Sequence, residues 1–214
     1  MKITKKKLIN HLRYTIVIYV LIVVLSIFLW DIVYTSTAYR APENKKVEWY
    51  IGGNALANQE KLKEFMEETR INIMPDMEEL SAVILFDSGM QDIYSDMQIT
   101  TFVISEQGDV YLLTKDKFLN FARAGAFLPL DDYIENSSLN IDGIDVKRGI
   151  VTIPASESPT KTEITSIYGI PATSLKKLSQ FDINPNDMYL AVLYKNKNDD
   201  NSVKFLNYLI NTMQ

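Results

Sequence analysis

The pattern of apolar and polar positions changes character twice along this chain. Residues 14–33 read YTIVIYVLIVVLSIFLWDIV: an almost unbroken apolar run of 20 residues whose one charge is Asp31, near its end. At about 1.5 Å per residue such a helix spans about 30 Å, the hydrocarbon thickness of a bilayer. Beyond a short linker the pattern becomes that of a folded domain. Residues 47–51, VEWYI, are β-formers stopped by Gly52 and Gly53. Residues 58–69 place Leu62, Phe65 and Met66 at i, i+3, i+4 among charges, which predicts an amphipathic helix capped by Asn54 or Asn58. Residues 82–86, AVILF, predict a strand buried on both faces. Residues 91–106 predict a helix with Ile93, Met97 and Phe102 inward, ended by Gly108 and Asp109. Residues 110–113 predict a short buried strand.

Residues 114–134 read TKDKFLNFARAGAFLPLDDYI. Thr114 can cap a helix whose inner stripe is Phe118, Leu119 and Ala122, and Gly125 supplies the left-handed residue that ends it. Pro129 bars a helix through the following Phe127, Leu128 and Leu130, and Asp131-Asp132 opens the next turn. The second half predicts strands at 149–153 and 163–170 around a loop at 154–161. It predicts a further strand at 188–194 and a final helix over 201–212. Alternating strands and helices predict an α/β fold, a mostly parallel sheet sandwiched by helices, preceded by one transmembrane helix.

Charge divides the chain the same way. Residues 1–40 hold 6 of the 22 basic residues and 1 of the 27 acids; residues 41–214 hold 16 basic and 26 acidic residues, a net −10. Lys2, Lys5, Lys6, Lys7 and Arg13 before the apolar run favour a cytoplasmic N-terminus. The organisation expected is a basic tail (1–13), a membrane helix (14–34), a linker (35–46) and an extracytoplasmic α/β domain (47–214). Ser36 and Ala38 would suit signal cleavage. The apolar run, however, exceeds the 7–15 residues of a signal core, so it is read as an uncleaved anchor in the cell membrane. The acidic outer domain argues against nucleic acid as a partner.

Composition also narrows the chemistry. There is no cysteine, and the one histidine, His11, lies in the basic tail. The outer domain therefore has no Ser-His-Asp or Cys-His nucleophile system and no thiolate or imidazole zinc site. No phosphate-binding G-x-x-x-x-G-K-[ST] pattern occurs, and no cofactor is implied. The pairs Asp131-Asp132 and Asp199-Asp200 read as helix-start residues rather than a hydrolytic pair. Asn140, Asp142 and Asp145 are too few for a calcium loop. The chain does not read as an enzyme.

The stretches GDVYLLTKDKFLNFARAGAFLPLDDYI, IYGIP and YLAVLYKNKNDDN-SVKFLNYLI resemble extracellular solute-binding proteins of ABC transporters, which have the type 2 periplasmic-binding-protein fold. The resemblance implies one lobe of that fold, with the 114–134 segment structural. It departs from the family in its membrane helix. It departs also in leaving only 33 residues between Ile134 and Tyr168, too few for a second lobe with its own core. It implies a ligand groove at the C-terminal ends of the parallel strands. The candidate ligand-binding residues are Gly52, Gly53, Asn54, Asp87, Ser88, Thr114 and Asp116, with Tyr168 nearby. The candidate partners are a small-molecule ligand and a membrane permease. The other reading is a non-catalytic partner-binding or sensing scaffold that has lost its ligand.

Overall fold

The structure, a computed structural model, describes residues 5–53, 56–85, 93–156, 162–195 and 198–214. The chain divides into two compact units, Met1–Arg40 and Ala41–Gln214. The first is the helix α1 (Lys5–Thr37), whose portion Arg13–Thr37 is long and apolar enough to cross a membrane. Within it the hydroxyls of Ser26, Ser36 and Thr37 each donate to the carbonyl four residues back. These polar side chains thus need no water.

The second unit is built from β1 (Lys46–Ile51), α2 (Gln59–Asn72), β2 (Glu79–Ile84), α3 (Ile93–Ile104), β3 (Val110–Thr114), α4 (Lys115–Arg123), α5 (Asp131–Glu135), β4 (Ile150–Ile153), β5 (Ile164–Ile167), β6 (Ile170–Pro171), β7 (Met188–Val192) and α6 (Asp199–Met213). The main sheet has the order β2-β1-β3-β7-β6. β1 pairs in parallel with β2 and β3, and β7 runs antiparallel to both β3 and β6. Four strands therefore share one direction and β7 opposes them. The pleat explains the layers, because alternate residues point to opposite faces. Val47, Trp49 and Ile51 of β1, Val110 and Leu112 of β3, and Leu190 and Val192 of β7 pack with Leu62 and Met66 of α2 and the apolar stripe of α6. Tyr50, Tyr111, Leu113, Tyr189 and Ala191 pack on the other side with Ile99 and Val103 of α3 and Phe118 and Ala122 of α4. The result is an α/β/α sandwich.

Local signals account for most of these elements. The Asn58 side chain accepts from the Lys61 amide at 3.1 Å and starts α2. Gly125, at φ +73°, ends the helical segment that contains α4. Thr114 occupies the N-cap position of α4, yet its side chain makes no capping bond. The run after Gly125 is core: Phe127, Leu128 and Leu130 are buried, and the Leu128 and Leu130 amides donate to Val192 and Ile167 carbonyls.

Three expectations are corrected. The strand expected at 82–86 spans Glu79–Ile84 and is half-buried along most of its length rather than buried on both faces. As the sheet's last strand it has a neighbour on one side only. In α3 the buried residues are Ser95, Ile99 and Val103; of those expected inward, Phe102 is half-buried against Tyr50, Met97 is exposed, and the side chain of Ile93 lies outside the described residues. The i, i+4 run from Ser95 faces the sheet, and the rival stripe through Met97 faces solvent. The strand expected over 163–170 is divided. β5 forms a two-stranded antiparallel sheet with β4, and after Tyr168 and Gly169 the chain enters the main sheet as β6.

Glycine makes that division feasible. A β-carbon on Gly149 would lie 1.7 Å from the Gly169 carbonyl oxygen, and one on Gly169 would lie 2.5 Å from Phe118 Cε2. Asp131 closes the same corner: its Oδ2 accepts from the Ser166 hydroxyl and from the Ile167 amide. The first of the two Asp131-Asp132 carboxylates therefore holds β5.

Candidate functional site: the crevice between β1 and β3

β1 and β3 lie side by side and run parallel, but their exits diverge. The chain leaves β1 for α2 on one face of the sheet and leaves β3 for α4 on the other. Loops that part in this way leave a crevice at the C-terminal ends of the strands, where open α/β sheets bind ligands. Gly52 and Gly53 sit in it. The Gly52 amide continues the ladder to the Leu112 carbonyl at 2.8 Å. Gly53 adopts φ +69°, and a β-carbon there would stand 3.0 Å from Thr114 Cγ2 and 3.3 Å from Met188 Cε. Glycine thus lets the turn after β1 lie against the end of β3.

The neighbouring ends are pinned. The Lys115 amide donates to the Asp187 carbonyl at 2.9 Å. Lys117 Nζ reaches Asp96 at 2.9 Å and the Ser95 hydroxyl at 3.3 Å, which ties the first turn of α3 to the first turn of α4. Asp116 is exposed in that turn of α4. The structure thus brings together Gly52, Gly53 and Thr114, and Asp116 follows Thr114 by two residues in the first turn of α4. Asn54, Asp87 and Ser88 lie outside the described residues. Tyr168 is elsewhere. Ile170 pairs with Leu190, which pairs with Leu112, so Tyr168 is level with Val110 at the opposite end of β3. Its ring is buried, and burial followed by the Asp131 charge pushes its phenol pKa up. Among the described residues, Gly52, Gly53, Thr114 and Asp116 offer backbone, a hydroxyl and a carboxylate, and no nucleophile-base pair.

No protein-family model matches the chain, and no curated protein matches it. Solved structures that are similar in part include two solute-binding proteins. One is an extracellular solute-binding protein family 1 member from Alicyclobacillus acidocaldarius, at 15% identity and TM-score 0.41 over 59% of this chain and 28% of that one. The other is an ABC substrate-binding protein from Listeria monocytogenes in complex with cycloalternan, at 15% identity and TM-score 0.39 over 58% of this chain and 28% of that one. The chain thus matches under a third of the length of either. The fold described above rests on its own strand order and register.

A cleft of about 490 Å³ opens at the other end of the same strands. Glu43, Lys46, Glu48, Tyr50, the 105–107 turn, Lys195 and Asn198 line it. Beneath it Asp109 and Lys195 form an ion pair at 3.2 Å, their side chains 2% and 6% exposed. Asp109 also accepts from the Glu48 amide at 2.8 Å, and Asn198 donates to the Lys46 carbonyl at 2.7 Å. Lys46 bridges Glu43 at 3.1 Å and Glu48 at 3.5 Å. Burial, then the Glu48 charge, pushes the Tyr50 phenol up to about 12. Sequence reasoning missed this cluster because Asp109 read as a helix stop and Lys195 fell between the strand expected over 188–194 and the helix expected over 201–212. A faint signal was present: an acid just before one apolar strand and a base just after another come to the same end of the sheet when the two strands pair antiparallel.

Proposed function

We propose that the chain is a membrane-anchored, extracytoplasmic module of solute-binding-protein type, associated with transport, whose ligand groove is the crevice between β1 and β3. The supporting observation is the divergence of the β1 and β3 exits, with Gly53 lying against Thr114 at that point. Gly52, Gly53, Thr114 and Asp116 would contact a polar solute through backbone, hydroxyl and carboxylate. The basic residues before the apolar run favour a cytoplasmic N-terminus, with the second unit outside. A single cysteine at Lys204, an exposed position of α6, should then react with an impermeant maleimide on intact cells whose outer envelope is open. Protection there until lysis would reverse the orientation.

The groove is tested on the full chain in detergent micelles, by thermal shift against sugars, amino acids and short peptides. A ligand present at about 100 times its Kd stabilises by about 2.7 kcal/mol. A rise in Tm with one class, lost in Thr114→Lys, supports the reading. A flat response across the panel counts against it.

A second reading is a scaffold that binds a protein instead of a solute. It is favoured by the small size of the structure beside the main sheet: β4 and β5 have four residues each and form the only other sheet among the described residues. Solute sites bury most of their ligand between walls on both sides. Under this reading the panel gives no shift.

A further inference from the structure

α3 has two apolar faces, and among the described residues the core uses one of them. Ser95, Ile99 and Val103 are buried against the sheet. Tyr94, Met97 and Ile104 are 83%, 62% and 76% exposed, and with Thr101 they recur at spacings of three, four and three. That spacing forms a straight seam along one side of a helix, the seam another helix packs against. A surface helix of so acidic a unit would ordinarily turn charges outward here.

The seam runs into the cleft described above. Ile104 is the last residue of α3, and the turn that follows it, 105–107, lines the cleft. Lys195 is neutralised there by Asp109, which leaves three carboxylates, Glu43, Glu48 and Glu106, against the single ammonium of Lys46. The apolar seam therefore ends in a concavity with excess negative charge.

We propose that the seam and the cleft form one docking surface for a helix of another polypeptide, apolar along one stripe and carrying a lysine or arginine beyond its end. The stripe would cover Met97 and Ile104, and the cation would enter beside Glu43 and Glu106. Charge complementarity selects this occupant over a second copy of the chain, since two units of net −10 repel. One helix seam buries less than the roughly 1,200 Å² of a stable free complex, so the contact is a weak one steered by charge. This inference does not depend on the solute groove, which lies at the other end of the strands.

The test places a photo-crosslinking phenylalanine analogue at Met97, at Ile104, or at Glu64 on α2 as a control, in the full chain in its native membrane. Adducts are expected at the first two positions and not at Glu64. Mass spectrometry should identify the joined segment as an apolar-striped one bearing lysine or arginine. Glu106→Lys and, separately, Glu43→Gln should each lower the yield about tenfold. Both residues are exposed, so neither change threatens the fold. Absence of adducts at 97 and 104 overturns the proposal. So do adducts to lipid, to a differently tagged copy of the same chain or to a segment without basic residues, and so does a yield indifferent to both substitutions.

Discussion

Single residues carry unequal shares of this fold, and the sequence hides which. Asp109 and Lys195 are 86 positions apart and meet because β3 and β7 pair antiparallel. Removing one partner strands a buried charge, at a cost of about 3–5 kcal/mol, whereas replacing both by apolar groups of similar size is often neutral. Chemical denaturation should therefore rank Asp109→Ala well below wild type, with Asp109→Leu/Lys195→Met recovering most of the loss. A double variant no better than the single would mean that the Glu48 and Asn198 bonds to Asp109, not the ion pair, hold this corner. Tyr50 makes a pH-dependent contribution. Its phenol is held protonated up to about 12 against an ordinary value of 10. A raised folded-state pKa gives stability that is full below about 10 and is lost as pH rises from there through about 12. Denaturation midpoints measured at pH 8.5 and 11 should fall less for Tyr50→Phe than for wild type. An equal fall in both would show that Tyr50 titrates normally.

Among the elements, those with a complete local signal were legible and those set by tertiary contact were not. α2 showed its cap, its apolar triplet and its polar remainder, and Asn58 caps it. Gly125 showed the end of the α4 segment. α3 offered two apolar stripes, and nothing local says that the sheet takes Ile99 and Val103 rather than Met97. β2 looked like an interior strand because its composition is apolar, but edge position depends on strand order, which no short pattern encodes. The two-stranded sheet depends on an approach of backbones that reads in sequence as two ordinary glycines. Gly149→Ala would drive a methyl into the Gly169 carbonyl, so it should destabilise by at least about 3 kcal/mol or prevent folding. Gly125→Ala meets nothing within 4 Å and should cost only the left-handed backbone penalty, about 1 kcal/mol. Equal effects at the two positions, in the same denaturation assay, would contradict the crossing of 149 over 169.

At the scale of the molecule, the charge split at residue 40, the apolar helix and the α/β alternation all follow from pattern alone, because each repeats over many residues. The proposed groove was legible only as loop positions. Gly52-Gly53 and Thr114 are 61 residues apart, and their contact depends on β3 pairing with β1 rather than with β2. Tyr168 stood apart for the same reason: the strand that follows it joins the far edge of the sheet. The central claim is that the crevice between β1 and β3 is where this protein meets its solute. Hydrogen–deuterium exchange on the full chain in lipid nanodiscs, with and without a mixture of sugars, amino acids and short peptides, tests it most directly. The account predicts slower exchange of the amides at 50–53 and 112–117, with 105–108 unchanged. Unchanged exchange at both crevice segments, or protection confined to the 105–108 end, would contradict it.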